Sequence, residues 1–349
     1  MKFFPRFLLA CSIFIASVAS AEPPQTFQAT DAPLDLQSAT GQTREWLHAF
    51  EHPLETFSYT TATLAEEPDF RVLQLTFPSP MTTPFAMNNT VPAELYLPTR
   101  EGTKKLPAAI VLDILDGRAV LPRMTARVLA SRGIAALYFP MPYYNTRRPP
   151  ENAHFKLLDE DPQRNMVPPL RQMVMDARRA KAILASRPDI DAHRIGITGI
   201  SLGGIMASLA AGVDGHFDRV APVLAGGDMA TLIFHAREMR GLRQILEHHH
   251  IDRDAAAQFL APVEPLTYAS RINPRTCLMI NADRDEVIPK ASTVSLSQAI
   301  GDPTLLWMPA GHYTGILFLP NMQQSVADYL LGREVTSLNR APTSREQQP

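Results

Sequence analysis

A strand, a serine and a helix meet within a few residues near the middle of this chain. Arg194-Ile195-Gly196-Ile197-Thr198 reads as a short apolar strand and runs straight into Gly199-Ile200-Ser201-Leu202-Gly203-Gly204. Ile205 to Ala211 then follows as an apolar, helix-forming run. A G-x-S-x-G sequence in that setting is a sharp strand-to-helix bend. Its serine sits in a strained backbone conformation, and side chains at 199 or 203 would collide with the neighbouring strand and helix. The helix start also directs free N–H groups at negative charge developing near Ser201. The motif alone is common, and the competing reading is a glycine-rich turn with an incidental serine. The flanks favour a nucleophile.

The rest of the chain has the alternation such a bend requires. Phe70 to Phe77 and Ala93 to Leu97 alternate apolar and polar residues, as half-buried antiparallel strands do. Ala108 to Leu115 is a nearly continuous apolar run, as in strands buried on both faces of a parallel sheet. From there the pattern predicts a helix over 121–131, a strand over 134–139, a helix over 170–186, the strand and helix around Ser201, and a strand over 219–224. A strand over 276–282, a helix over 290–300, a strand over 304–308 and a helix over 322–331 complete the series. The expected class is α/β, with a mostly parallel central sheet flanked by helices. Residues 22–60 show one helix pattern, at 43–50. Two connections are unusually long, 140–169 and 226–274. Both leave the expected C-terminal edge of the sheet, where open α/β sheets bind ligands, so they read as lid-like insertions and pocket walls.

Bulk properties bound the function. With 349 residues and a formal charge of −2, the composition is that of an ordinary globular protein. It shows no sign of nucleic-acid or membrane-surface binding. The 31 prolines cluster in loops and point to long, stiffened connections. Met1 to Arg6 is a short basic start, Phe7 to Val18 is apolar, and Ala19-Ser20-Ala21 supplies the small-x-small pattern of a signal peptidase site. Residues 1–21 are therefore expected to be a cleaved signal peptide, giving a periplasmic or secreted protein with no stable membrane anchor. The apolar run is too short to span a bilayer. Cleavage leaves Cys277 without a disulfide partner, inside an apolar run where a buried, inert thiol is expected.

A serine hydroxyl needs a base, and the base needs a group that fixes its tautomer. In α/β sheets carrying this bend, the acid and the histidine follow the serine in that order. The strand at 276–280 opens into Asn281-Ala282-Asp283-Arg284-Asp285-Glu286-Val287-Ile288-Pro289, and the next strand ends in Pro309-Ala310-Gly311-His312. His312 is the expected base, while His154, His193, His216 and His235 follow no strand after the acid. The acid lies between Asp283 and Asp285. The spacing Asp-x-x-Ile-Pro favours Asp285 at the loop tip, with Asp283 as a turn former or partner of Arg284. Oxyanion donors are expected from the backbone of Leu202 and from the loop after the 108–115 strand, at Gly117 or Arg118.

These three motifs together resemble the α/β-hydrolase superfamily over about residues 90–331. The branch they resemble most contains dienelactone-hydrolase-like, acetyl-xylan-esterase-like and prolyl-oligopeptidase-like members. The resemblance implies an α/β-hydrolase fold and a Ser201–His312–Asp285 triad, acting on small-molecule esters through an acyl-enzyme with no metal or cofactor. With the leader pattern and the polar, proline-containing end of the chain, the expected organisation is signal peptide 1–21, N-terminal extension 22–89 packing on the core, hydrolase domain 90–331 and a frayed tail 332–349. Two features depart from the relatives. Asp113 and Asp116-Gly117 stand where many carry His-Gly, and a carboxylate there would disfavour anionic substrates. Dienelactone hydrolases proper use cysteine where this chain has serine. A serine peptidase acting on short peptides and a non-catalytic binding protein are the alternative readings. Tyr143 and Tyr144, with Arg147 and Arg148 nearby, are candidate pocket residues for a polar or sugar-like substrate. His248-His249-His250 looks like a metal site, but adjacent helical residues point in different directions, so a solvated helix end accounts for it better.

Overall fold

Uninterrupted apolar runs make strands that must be covered on both faces, and here they line the middle of one ten-stranded sheet. The computed structural model describes residues 23–99, 104–115, 118–150 and 153–338. The expected signal peptide, Gly117 and residues 339–349 of the tail lie outside the described residues.

The chain begins with β1 (Gln25–Thr30), α1 (Gly41–Leu47), β2 (Thr56–Glu66), β3 (Phe70–Pro78), α2 (Ala86–Asn89) and β4 (Thr90–Pro98). These four strands pair antiparallel in chain order, with Leu73 opposite Leu95 and Leu75 opposite Ala93. Next come β5 (Leu106–Leu112), α3 (Val120–Ser131), β6 (Ala135–Tyr138), α4 (Ala153–Glu160), α5 (Pro162–Ser186), β7 (Ile190–Ile200), α6 (Leu202–Asp214) and β8 (Val220–Val223). Four short helices follow: α7 (Met229–His235), α8 (Arg240–His248), α9 (Arg253–Leu260) and α10 (Pro265–Tyr268). The chain then continues through β9 (Leu278–Ala282), α11 (Lys290–Ile300), β10 (Thr304–Met308) and α12 (Leu319–Leu330). The sheet order is β1-β2-β3-β4-β6-β5-β7-β8-β9-β10. It is antiparallel up to the β4–β6 pair and parallel from β6 onward. Among the described residues no helix is long and apolar enough to cross a membrane.

Strand alternation divides the core in two. Ala108, Ile110 and Leu112 of β5 join Val174, Ile183, Leu209 and Leu296 from α5, α6 and α11. Ala109 and Val111 face the opposite way and pack with Ala126 and Leu129 of α3 and Val326 of α12. At about 25 cal/mol per Å² of apolar surface removed from water, this double coverage supplies the main favourable term in folding.

Two segments differ from the sequence expectation. Residues 25–30 and 56–66 form β1 and β2. In β2 the inward Phe57, Tyr59 and Thr61 alternate with Thr and Ser, a contrast too weak to register as a strand without its β3 partner. The connection 140–169 holds α4 and the first two turns of α5. Asp161 caps α5 by accepting the Arg164 N–H at 3.0 Å, and Pro162 takes the first helical position, where no donor is needed. Pro168 and Pro169 then lie inside the helix. Each removes an amide donor, so the sequence signal there is that of a loop.

The 140–148 segment is tied down by a buried cation. Arg147 has no exposed side-chain surface. It donates to the carbonyls of Pro140 (3.2 Å) and Asn88 (2.8 Å) and pairs with Asp176 of α5 at 2.8 Å. Removing one partner of a buried pair leaves the other uncompensated. Arg147→Met is expected to destabilise the protein by about 3–5 kcal/mol, read as a lower urea midpoint with an unchanged m-value.

Candidate active site

The bend between β7 and α6 lies at the C-terminal edge of the parallel strands. Ser201 has φ 56° and ψ −121°, a strained conformation for a residue with a side chain. Glycines hold it there. A Cβ on Gly199 would lie 2.4 Å from the Gly203 carbonyl carbon. One on Gly203 would lie 2.7 Å from the carbonyl oxygens of Leu112 and Asp113, and one on Gly204 would lie 2.7 Å from that of Val223. The Ser201 N–H donates to the Val223 carbonyl at 2.9 Å, fixing the bend to β8.

His312 reaches this serine from the loop after β10. Its Nε2 is 3.0 Å from Ser201 Oγ, and its Nδ1 is 2.9 Å from Asp285 Oδ2 and 3.1 Å from Oδ1. Asp285 is almost wholly buried, and its Oδ1 also accepts the N–H groups of Val287 (2.9 Å) and Ile288 (2.7 Å). Asp283 instead pairs with exposed Arg284 at 3.3 Å, so the structure brings Asp285 and not Asp283 to the imidazole. Of the other histidines, His154 stacks on Tyr143, and burial lowers its basicity.

Glu286 is a contributor that the sequence did not single out. Its Oε2 accepts the His312 N–H at 2.8 Å, while a Cβ on Gly311 would come within 2.4 Å of the same oxygen. Gly311 therefore makes room for the carboxylate that holds the histidine loop. The adjacent acids Asp285-Glu286 carry this signal only once the loops are known to meet.

Two backbone segments lie beside Ser201, where oxyanion donors are expected from the sequence. Leu202 opens α6, where the first N–H groups have no intrahelical acceptor. In the loop after β5, Ile114 and Leu115 line the same cavity as Ser201. The Ile114 N–H donates to Asp113 Oδ1 at 2.9 Å, whereas that of Leu115 meets no acceptor among the described residues. Arg118 is exposed and does not line the cavity, and Gly117 falls outside the described residues. Asp113 itself is fully buried and accepts the Tyr138 hydroxyl at 3.1 Å. Together with burial, this pushes that hydroxyl far above the usual phenol range.

Tyr143 and Tyr144 are not brought to the serine. Tyr143 packs edge-on against Phe85 and stacks on His154, its N–H donates to Asn88, and half-buried Tyr144 leans on the core. The cavity beside Ser201 is instead walled by α7, by the turn before α12 and by α12 itself, with a volume of about 750 Å³. Glu264 anchors α7 by accepting the N–H groups of Asp228 (2.9 Å) and Met229 (2.7 Å). Burial pushes its carboxyl up. Cys277 is buried, with its thiol pushed up to about 12, and takes no part.

The sheet carries a serine on a strained strand-to-helix bend, with an acid and a histidine after its last two strands. No family model matches the chain, and no curated protein does. Solved structures do. An acetyl xylan esterase from a Paenibacillus species is similar at 20% identity and TM-score 0.66, over 87% of this chain and 100% of that one. Acetyl xylan esterase 1 from a Thermoanaerobacterium species is similar at 17% identity and TM-score 0.60, over 84% and 99%. An acylaminoacyl peptidase, solved with a chloromethyl ketone, is similar at 15% identity and TM-score 0.57, over 83% of this chain but 48% of its own. The chain has the α/β-hydrolase fold.

Glu286→Ala removes the acceptor of the His312 N–H and is expected to lower kcat by about 10- to 100-fold with little change in KM. Glu286→Gln keeps an acceptor oxygen and should restore most of that rate in steady-state hydrolysis assays.

Proposed function

We propose that this protein is a serine hydrolase that cleaves carboxylic esters through Ser201, His312 and Asp285. The observation that carries the reading is the unbroken chain from Ser201 Oγ to His312 Nε2 (3.0 Å) and from His312 Nδ1 to Asp285 Oδ2 (2.9 Å). The serine stands on a strained bend at a helix start. Likeness to two esterases in fold supports the same class of reaction.

Each group has a defined task. Ser201 Oγ attacks the ester carbonyl as His312 Nε2 takes its proton, and Asp285 holds the imidazole in the tautomer that can accept it. The oxygen of the tetrahedral adduct receives the N–H groups of Leu202 and Leu115, which act on charge present only in the transition state. His312 then passes the proton to the departing alcohol, leaving Ser201 acylated. A water gives its proton to His312 and its oxygen to the acyl carbon, and collapse releases the acid and restores the serine. Strain at Ser201, of order 1–3 kcal/mol, is sustained by the glycine packing and keeps the hydroxyl exposed to this sequence.

We further infer export to the periplasm or beyond, on the strength of the Met1–Ala21 pattern, with residues 22–331 forming the working protein and 332–349 a tail.

Ser201→Ala is expected to lower kcat for p-nitrophenyl esters by at least about 10⁴-fold and to abolish labelling by a fluorophosphonate probe. Asp285→Asn should cost about 10⁴-fold while leaving fluorophosphonate binding geometry intact. Unchanged ester turnover in the Ser201→Ala protein overturns the reading. Hydrolysis of short peptides without ester turnover would move the assignment to a peptidase.

A further inference from the structure

We propose that the cavity beside Ser201 is an acyl-chain site, and that the preferred ester carries a linear acyl group of about six to ten carbons rather than an acetyl. The inference rests on the ester-hydrolase reading and concerns what occupies its cavity. An acetyl group, with three heavy atoms, takes about 90 Å³ at roughly 30 Å³ per heavy atom or water-sized unit. That leaves most of the cavity's approximately 750 Å³ unfilled.

The wall has a single chemistry. Its inner part is aliphatic and buried: Ile205 of α6, Leu232 and Ile233 of α7, Ile288 after β9, and Leu319 and Met322 of α12. Apart from Ser201 and His312, the polar side chains among the lining residues are Glu238 and Tyr313, which are exposed at the cavity's edge and joined to each other by a hydrogen bond. Among the described residues, no polar side chain other than Ser201 and His312 lines the buried part of the cavity, so the hydroxyl groups of a sugar would meet no partner there. A polar ligand there would lose its hydration without replacement.

The direction of the ester follows from the same layout. Glu238 and Tyr313 are exposed, so they mark the mouth of the cavity, and Tyr313 adjoins His312 in the chain. His312 must protonate the departing alcohol, which places the alcohol towards that polar mouth. The acyl chain is left with the buried aliphatic end. Exposed Ile316 and Leu317, at 51% and 77%, extend the apolar surface outward from the cavity's edge.

The test is a chain-length series on the full-length mature protein. With p-nitrophenol as the constant alcohol, kcat/KM is expected to rise about threefold to fourfold per methylene from acetate upward, so that the octanoate exceeds the acetate by at least about 100-fold. Ethyl octanoate should be a far better substrate than octyl acetate. Leu232→Trp, which fills the inner end, should lower the octanoate-to-acetate ratio at least about tenfold. Titration of the Ser201→Ala protein with sodium octanoate should give saturable heat with a negative ΔCp, and sodium acetate none. A preference for acetate, a preference for octyl acetate, or no binding of octanoate overturns the proposal. If no ester of any length is turned over, the ester-hydrolase reading falls, and octanoate binding then decides the cavity on its own.

Discussion

The close approach of β7, α6 and the end of β5 is the contact on which the rest of the site depends. Gly199 touches Gly203, and Gly203 touches the carbonyl groups of Leu112 and Asp113, at separations no Cβ could occupy. This packing sets three things at once. It forces Ser201 into its strained conformation, and it seats the start of α6 beside the loop that carries Ile114 and Leu115. It also places the bend at the strand ends, where the loops after β9 and β10 can bring an acid and a histidine. A methyl group at 199 or 203 would separate Ser201 from the start of α6 and from the loop that carries Ile114 and Leu115.

The second dependence is electrostatic and lies away from the reacting atoms. His312 is held at both ends by carboxylates, Asp285 on its ring and Glu286 on its backbone N–H. Asp285 is in turn held by two backbone N–H groups. A side chain on an exposed loop would lose rotamer entropy on adopting one orientation. Here that cost is met by hydrogen bonds within the two loops, so the imidazole is oriented before substrate arrives. Such pre-orientation is what the proposed proton relay through this hydrogen-bonded trio requires.

Much of this was legible in the sequence, for reasons that also explain what was not. Continuous apolar runs, helix-stop residues and the Gly199–Gly204 pattern are local signals, and they gave the bounds of α11 and β10 and placed β5 and α6 within three residues at each end. The order of Ser201, Asp285 and His312 was readable because each lies just past a recognisable strand. Asp285 and Asp283 were separable only by spacing, which the buried environment of Asp285 explains. The failures are tertiary. β2 needs its partner to look like a strand, Tyr143 turns to Phe85 and His154 rather than to the serine, and Glu286 matters only because Gly311 lies against it. The cavity wall was least legible of all, since Leu232, Ile288 and Met322 come from separate elements and each reads as ordinary core.

The insert and the histidine loop are coupled across the cavity mouth by Glu238 and Tyr313. The Tyr313 hydroxyl holds the Glu238 carboxyl below its usual range. Desolvation, reinforced by that carboxylate, pushes the hydroxyl up to about 12. The sign of the linkage follows: a depressed carboxyl contributes above its ordinary value and loses that contribution as the pH falls through the folded-state value. Tyr313 therefore remains the donor and Glu238 the acceptor across neutral and mildly alkaline conditions. The contact is exposed and individually weak. Its position gives it significance, because it joins the loop bearing His312 to the segment bearing α7. Displacing the wall of the cavity thus acts directly on the residue next to His312.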